Sequence, residues 1–306
     1  MSERMKLKEK IIRFLAEQPK PGLVLQFSPS YVAAIRTQEM DRSWQPGNES
    51  LVVRPLPAGV LEASYLKLNI KDRDYLEKVL DDILHEIKPG ENSVNLLIPE
   101  MSGRVFIFSL ENGLKKPDEL NQFVEWSLHR QLGQSISQIR YSYQAFNSAA
   151  EKKILVLCAA EEVVKEYESL FKTRKMKVGK ISLPSLSVLN LLLGEPEREA
   201  DLLMVDLDYD YLSLVAVARE GFLLYRQKPV WPDEGKEETV KEAAHEIENT
   251  VNFIEDKLKR KLTAIYFRSN LDREGRLEDN LQTNAWIKVK KIRPGHEQLV
   301  PLLGGL

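Results

Sequence analysis

Two stretches of this chain repeat one arrangement of apolar and polar positions. Leu202–Leu207 is an apolar run interrupted by Asp206. Asp208-Tyr209-Asp210 follows as a polar turn, and Leu212–Val217 is a second apolar run with β-branched Val215 and Val217. Near the start, Gly22–Phe27, Ser28-Pro29-Ser30 and Tyr31–Ile35 repeat the pattern. Each stretch predicts a strand, a tight turn and a second strand.

The rest of the chain alternates the two periodicities. Residues 3–18 place Leu7, Ile11, Phe14 and Leu15 at helical spacing among Lys6, Lys8, Lys10 and Arg13. This predicts an amphipathic helix, either packed on its own domain or lying on an anionic membrane or a partner. Helices are also predicted at Asp72–Ile87, Pro117–Leu132, Glu162–Arg174, Ser185–Leu193, Glu237–Lys261 and Asp279–Asn284. In the helix near 117–132, Phe123, Leu128 and either Trp126 or Val124 are expected inward. The long helix at 237–261 has its seam at Val240, Ala244, Ile247, Val251, Ile254 and Leu258. Further strands are predicted at Leu51–Val53, Asn92–Ile98, Arg104–Leu110, Arg140–Asn147, Lys152–Ala160, Lys177–Leu183, Phe222–Lys228, Ala264–Phe267 and Trp286–Ile292. Gly194–Glu199 is the expected domain boundary, being rich in charge and containing Pro196.

Composition narrows the function classes. The 306 residues suit about two domains. A net charge of −2 predicts no general attraction to nucleic acid. Cys158 is the single cysteine, which excludes an intramolecular disulfide and fits a reducing compartment. No run of 18 apolar residues and no signal-peptide core is present, so a cytoplasmic location is expected.

Candidate chemistry is sparse. His85, His129, His245 and His296 have no metal-ligand spacing. Asp206, Asp208 and Asp210 alternate like the start of a Ca²⁺ loop, but the glycine and closing glutamate of such a loop are missing, so a solvated turn is expected. Lys257–Lys261 is a basic run that would complement the dipole of the helix before it.

The paired hairpins are similar to those of two-lobed actin-like proteins. The order of segments from Gly22 to Leu306 resembles the PilM-like components of type IV pilus assembly, which are related to FtsA. The resemblance is carried by LVLQFSPSYVAAIR, LPAGVLEASYLKLNIKDRDYLEKVLDDIL, DELNQFVEWSLHRQLGQSISQIRYSYQAF, ILVLCAAEEVVKEYESLFKTRKMKVGKISLPSLSVLNLL and EIENTVNFIEDKL. It implies an α/β, ribonuclease H-like fold with two actin-like lobes. After an N-terminal helix in 1–20, the first lobe would hold residues 21–99 and 183–195, with a small α/β subdomain inserted at 100–182, and 196–306 would form a second, reduced lobe.

In that family the two hairpins clamp the phosphates of ATP, with Mg²⁺ held by a carboxylate before the turn. A turn that wraps phosphate favours glycine and free backbone N–H groups. Here Gln26 stands in place of the acid of the first hairpin, with Ser28 and Pro29 after it, and Asp208 replaces a glycine of the second. The adenosine-side glycines are replaced by Tyr266-Phe267-Arg268-Ser269-Asn270, and Arg268 would obstruct close approach to a ligand. No catalytic residue, cofactor or metal is therefore expected, with an ATP- and Mg-dependent ATPase as the alternative.

The resemblance further implies a scaffold at the inner membrane that binds the N-terminal tail of a PilN-like membrane protein, with a possible homo-oligomer. The tail would lie in a groove beside the inserted subdomain, bordered by Phe106, Phe108 or Tyr143. The other reading is the actin-like component of a type II secretion system.

Overall fold

The computed structural model describes residues 22–36, 50–90, 92–110, 116–147, 152–195, 198–219, 221–230, 236–271, 275–281, 287–292 and 297–305. The helix expected at 3–18 and His296 lie outside them. The described residues form three sheets.

The first sheet contains β1 (Leu23–Ser28), β2 (Tyr31–Arg36), β3 (Ser50–Pro55), β4 (Ser93–Leu97) and β8 (Lys177–Ser182). Its order is β3-β2-β1-β4-β8. The first three strands form an antiparallel meander, and β4 and β8 continue in parallel. The second sheet contains β9 (Leu202–Leu207), β10 (Tyr211–Ala218), β11 (Gly221–Pro229), β12 (Ala264–Ser269) and β13 (Lys288–Lys291). Its order is β11-β10-β9-β12-β13, again an antiparallel meander followed by two parallel strands. The sheets are two copies of one topology, and the two hairpins are the same element of each. Every residue of β1 and of β9 is buried, as expected of strands inside a sheet covered on both faces.

The third sheet, β5-β7-β6, is built from β5 (Gly103–Leu110), β6 (Ile139–Asn147) and β7 (Lys152–Ala160). All its pairings are antiparallel. Lys177–Ser182, which falls within the segment 100–182 expected as an insert, runs parallel beside β4 and so belongs to the first sheet.

Among the described residues the helices, in chain order, are α1 (Arg73–Ile87), α2 (Pro117–Leu132), α3 (Glu161–Lys172), α4 (Pro184–Gly194), α5 (Lys236–Asp256), α6 (Arg276–Leu281) and α7 (Leu299–Gly304). Chain contacts group the residues into two compact units, 1–100 with 165–198 and 292–306, and 101–164 with 199–291. In the first unit α1 buries Leu76, Leu80, Ile83 and Ile87. Asp72 caps its start by accepting a hydrogen bond from Tyr75 N at 3.0 Å. The C-terminal α7 packs on α4 in the same unit. Asn190 and Asn95 donate their amides to the carbonyls of Gly304 and Gly305, each at 2.9 Å. A Cβ at Gly304 would stand 1.8 Å from the Ser187 carbonyl oxygen, so only glycine permits this approach. The apolar run at 299–303 is too short to show helical periodicity, and α7 is an element that pattern reading misses.

In the second unit α5 covers the sheet with Val240, Ala243, Ile247, Val251 and Ile254. It ends at Asp256, five residues before the predicted end. Lys259 adopts left-handed φ of 53°, and Arg260 N–H bonds to Ile254 O at 3.2 Å, so the chain has left the helix there. Lys257–Lys261 therefore follows the helix and is not part of it, and the last turn itself holds no basic residue. α6 (Arg276–Leu281) begins three residues before the expected start at Asp279, and residues 282–284 of the expected helix lie outside the described residues. Cys158 is buried in β7, as its apolar surroundings predict.

Candidate functional site

The second hairpin carries the most concentrated buried charge among the described residues. Asp206 and Asp208 are two apart in an extended segment, so their side chains leave the same face. The parallel register sets Arg268 of β12 beside Asp206, and Asn270 follows two residues later on the same face. Arg268 Nη1 donates to Asp206 Oδ1 at 2.5 Å, and Nη2 donates to Asp208 Oδ2 at 2.8 Å. Asn270 Nδ2 and Tyr209 N donate to the other oxygen of Asp208, at 2.9 and 2.8 Å. Tyr211 OH donates to the second oxygen of Asp206 at 2.8 Å. All four carboxylate oxygens are thus hydrogen-bonded from within the unit.

The side chains of Asp206, Asp208 and Arg268 have 0% exposure. The expectation of a solvated turn fails here: parallel pairing of β9 with β12 brings a guanidinium over both carboxylates, which lets them be buried. Burial pushes the Asp206 carboxyl above its ordinary range. Arg268 opposes that shift, Asp208 adds to it, and the bonds from Arg268 and Tyr211 oppose it.

A divalent cation on these carboxylates would have to displace the guanidinium and then be ligated out of contact with water. The residues do not fit an Mg²⁺-bound triphosphate in this arrangement. Among the described residues no group of three or more His, Cys, Asp or Glu is placed to hold a metal ion.

The first hairpin has the same outline without charge. Gln26 is the counterpart of Asp206, Ser28 of Asp208 and Tyr31 of Tyr211. Gln26 Nε2 donates to Tyr31 OH at 2.9 Å, while Gln26 Oε1 is buried with no partner among the described residues. Ser28 Oγ accepts from Ser30 N at 3.3 Å, closing the turn locally. The neighbour of Gln26 on the parallel strand is Leu97, where the second sheet has Arg268.

The small sheet holds the other candidate residues. Phe106 and Tyr143 lie on either side of Val156, and Phe108 is opposite Ile154. Paired residues of antiparallel strands share a face, so the structure brings all three candidates together. That face is covered by α2. Tyr143 OH donates to Asn121 Oδ1 at 2.6 Å, and Tyr141 OH donates to Glu125 Oε1 at 2.9 Å. Burial, followed by the bond to Glu125, pushes the Tyr141 phenol up to about 12. Val156 and Ile154 are fully buried, while Phe106, Phe108 and Tyr143 are half-buried.

A run of rings continues outward from them. Phe106 stacks on Phe108 at 5.6 Å, Phe108 meets Phe123 edge-on at 6.4 Å, and Phe123 meets Trp126 at 6.4 Å. The helix packs inward through Val124 and Leu128. Trp126, one of the two residues considered for that position, is 57% exposed, with Arg130 over its ring at 5.2 Å.

Pattern reading misses the partnership of Arg268 and Asn270 with the hairpin. The available signal is the match of two alternating pairs, Asp206/Asp208 and Arg268/Asn270. Their relative register depends on a pairing about sixty residues apart in sequence, between strands that no turn connects.

No family model and no curated protein matches this sequence. Solved structures do. A chain of the PilM–PilN type IV pilus biogenesis complex is 14% identical over 94% of this chain and 97% of its own, with a TM-score of 0.71. The cytoplasmic domain of EpsL, an inner-membrane component of the type II secretion system of Vibrio cholerae, is 8% identical over 92% and 93%, at 0.54. A Bacteroides thetaiotaomicron protein with an actin-like ATPase fold is 10% identical over 94% and 97%, at 0.53. The chain thus has an actin-like fold, similar to that of the chain in the PilM–PilN complex.

Proposed function

We propose that this chain is a non-catalytic, actin-like scaffold of a type IV pilus assembly complex, and that it captures the N-terminal tail of a PilN-like inner-membrane protein. The observation that carries the non-catalytic half is the complete burial of Arg268 between Asp206 and Asp208. An actin-like ATPase uses its hairpin carboxylate for a metal and its turn for phosphate. In this chain a resident guanidinium takes both carboxylates.

The likeness to a chain of the PilM–PilN complex supports the partner half. Peptide capture needs an apolar surface and accessible backbone rather than nucleotide chemistry. The small sheet supplies half-buried Phe106, Phe108 and Tyr143 on one face, and β5 lies at its edge. The scaffold works on the cytoplasmic side of the inner membrane, held there by its partner.

The test is a binding titration with a synthetic peptide of the tail from the membrane protein encoded beside this chain. Phe106→Asp and Tyr143→Asp are expected to weaken it at least tenfold, with circular dichroism unchanged. Folded variants that bind as well as the parent would remove these residues from the site. No binding of the parent would remove the tail. The likeness to EpsL supports a second reading, a type II secretion component. Preference for a tail peptide from that system would select it.

A further inference from the structure

The turn that follows α5 is a second surface with a chemistry of its own. Lys257, Leu258, Lys259, Arg260 and Lys261 are all exposed. Phe253, one turn before them, is 44% exposed, and Leu258 is 36% exposed. The turn is pinned at both ends. Lys257 N–H bonds to Phe253 O at 2.9 Å and Arg260 N–H to Ile254 O at 3.2 Å. Ile254 and Leu262 are buried, and Thr263 N–H bonds to Asp201 O at 2.9 Å.

Lys257, Lys259 and Lys261 have no ion pair among the described residues. Asp256 and half-buried Glu255 are the acids immediately before the turn. Lys257 closes the end of α5 through its backbone N–H, and Lys259 and Lys261 follow beyond it. A chain of net charge −2 thus concentrates four cations in five residues and sets two large apolar side chains beside them.

We infer that this turn docks on an anionic phospholipid surface. Lysine ammonium groups gain from the negative potential of such a surface, and Phe253 and Leu258 can enter the headgroup boundary. Exposed apolar groups beside lysines favour a lipid surface over a nucleic acid. Nucleic-acid affinity would rest on phosphate contacts alone and on a basic field, which this chain lacks. The inference is independent of peptide capture, since it uses different residues and a different ligand.

The test is flotation of the full chain with vesicles of phosphatidylglycerol and phosphatidylcholine, and with vesicles of phosphatidylcholine alone. The parent is expected to float with the anionic vesicles at low salt and to be released at high salt. Lys257→Gln/Lys259→Gln/Lys261→Gln is expected to lower partitioning on the order of a hundredfold, with an unchanged melting temperature. Phe253→Ser is expected to lower it less.

Three results would overturn the inference. The parent could fail to float with anionic vesicles, or bind single-stranded nucleic acid in their place. The triple variant could float as well as the parent. The loss could follow neutralisation of Lys6, Lys8, Lys10 and Arg13 and not of the turn.

Discussion

In the first hairpin Gln26 reaches Tyr31 and sits beside Leu97; in the second Asp206 accepts from Tyr211 and sits beside Arg268. The backbone is one design used twice, with the same strand order and the same tyrosine five residues along. The chemistry diverges at three positions, Gln26/Asp206, Ser28/Asp208 and Leu97/Arg268. One copy holds its turn with neutral groups. The other holds it with a buried ion cluster. Either solution closes the hairpin, so the hairpin's geometry does not depend on which of the two sets of side chains fills it.

The largest expected effect comes from breaking the cluster at its cation. Arg268→Leu leaves two buried carboxylates without a counter-ion and is expected to destabilise the chain by about 3–5 kcal/mol. Making the second hairpin like the first, with Asp206→Gln, Asp208→Ser and Arg268→Leu together, is expected to recover most of that loss, because no buried charge is left unpaired. Urea denaturation of the two variants checks this. A triple variant no more stable than Arg268→Leu alone would show that the hairpins are not interchangeable.

How far the sequence predicts this comparison follows from the range of each interaction. Both hairpins are legible because apolar runs, turn residues and strand length are local. The long helix is legible through Val240, Ile247, Val251 and Ile254, but its end is not. Nothing local marks the stop between Asp256 and Lys257, where lysines continue a good helical composition. Asp206 and Asp208 are visible as acids, yet their burial depends on Arg268, which reaches them only once β12 lies beside β9. The candidate aromatics divide in the same way. Alternation places Phe106 and Phe108 on one face, while their neighbourhood with Tyr143 depends on β7 lying between the two outer strands.

A charge introduced into the neutral copy sharpens the contrast. Gln26→Glu places a carboxyl at a buried position beside Leu97 with no cation, and is expected to destabilise the chain at neutral pH by about 1–3 kcal/mol. Its carboxyl pKa would be raised by burial, so the loss should shrink as pH falls and the carboxyl becomes protonated.

Asp206 provides the matching pH test in the parent. Its folded-state pKa is raised, so its contribution is complete below the ordinary aspartate value and is lost as pH rises through the raised one. Asp206→Asn should flatten that part of the stability profile. A profile that rises with pH there by the same amount in parent and variant would contradict the assignment.

Removal of a single hydroxyl separates the two tyrosines. Tyr211→Phe removes a bond to a carboxylate and is expected to cost about 1.5–3 kcal/mol, whereas Tyr31→Phe removes a neutral bond from Gln26 and is expected to cost about 0.5–1.5 kcal/mol. Equal losses in thermal denaturation would mean that Asp206 is not ionised in the cluster.

The most direct test of the central claim, that Arg268 has taken the carboxylates a nucleotide metal would need, is titration calorimetry of the parent with ATP and Mg²⁺. The account predicts no saturable heat. Micromolar binding that is abolished by Asp206→Ala would contradict it, because it would place Asp206 on a metal–nucleotide complex and not on Arg268.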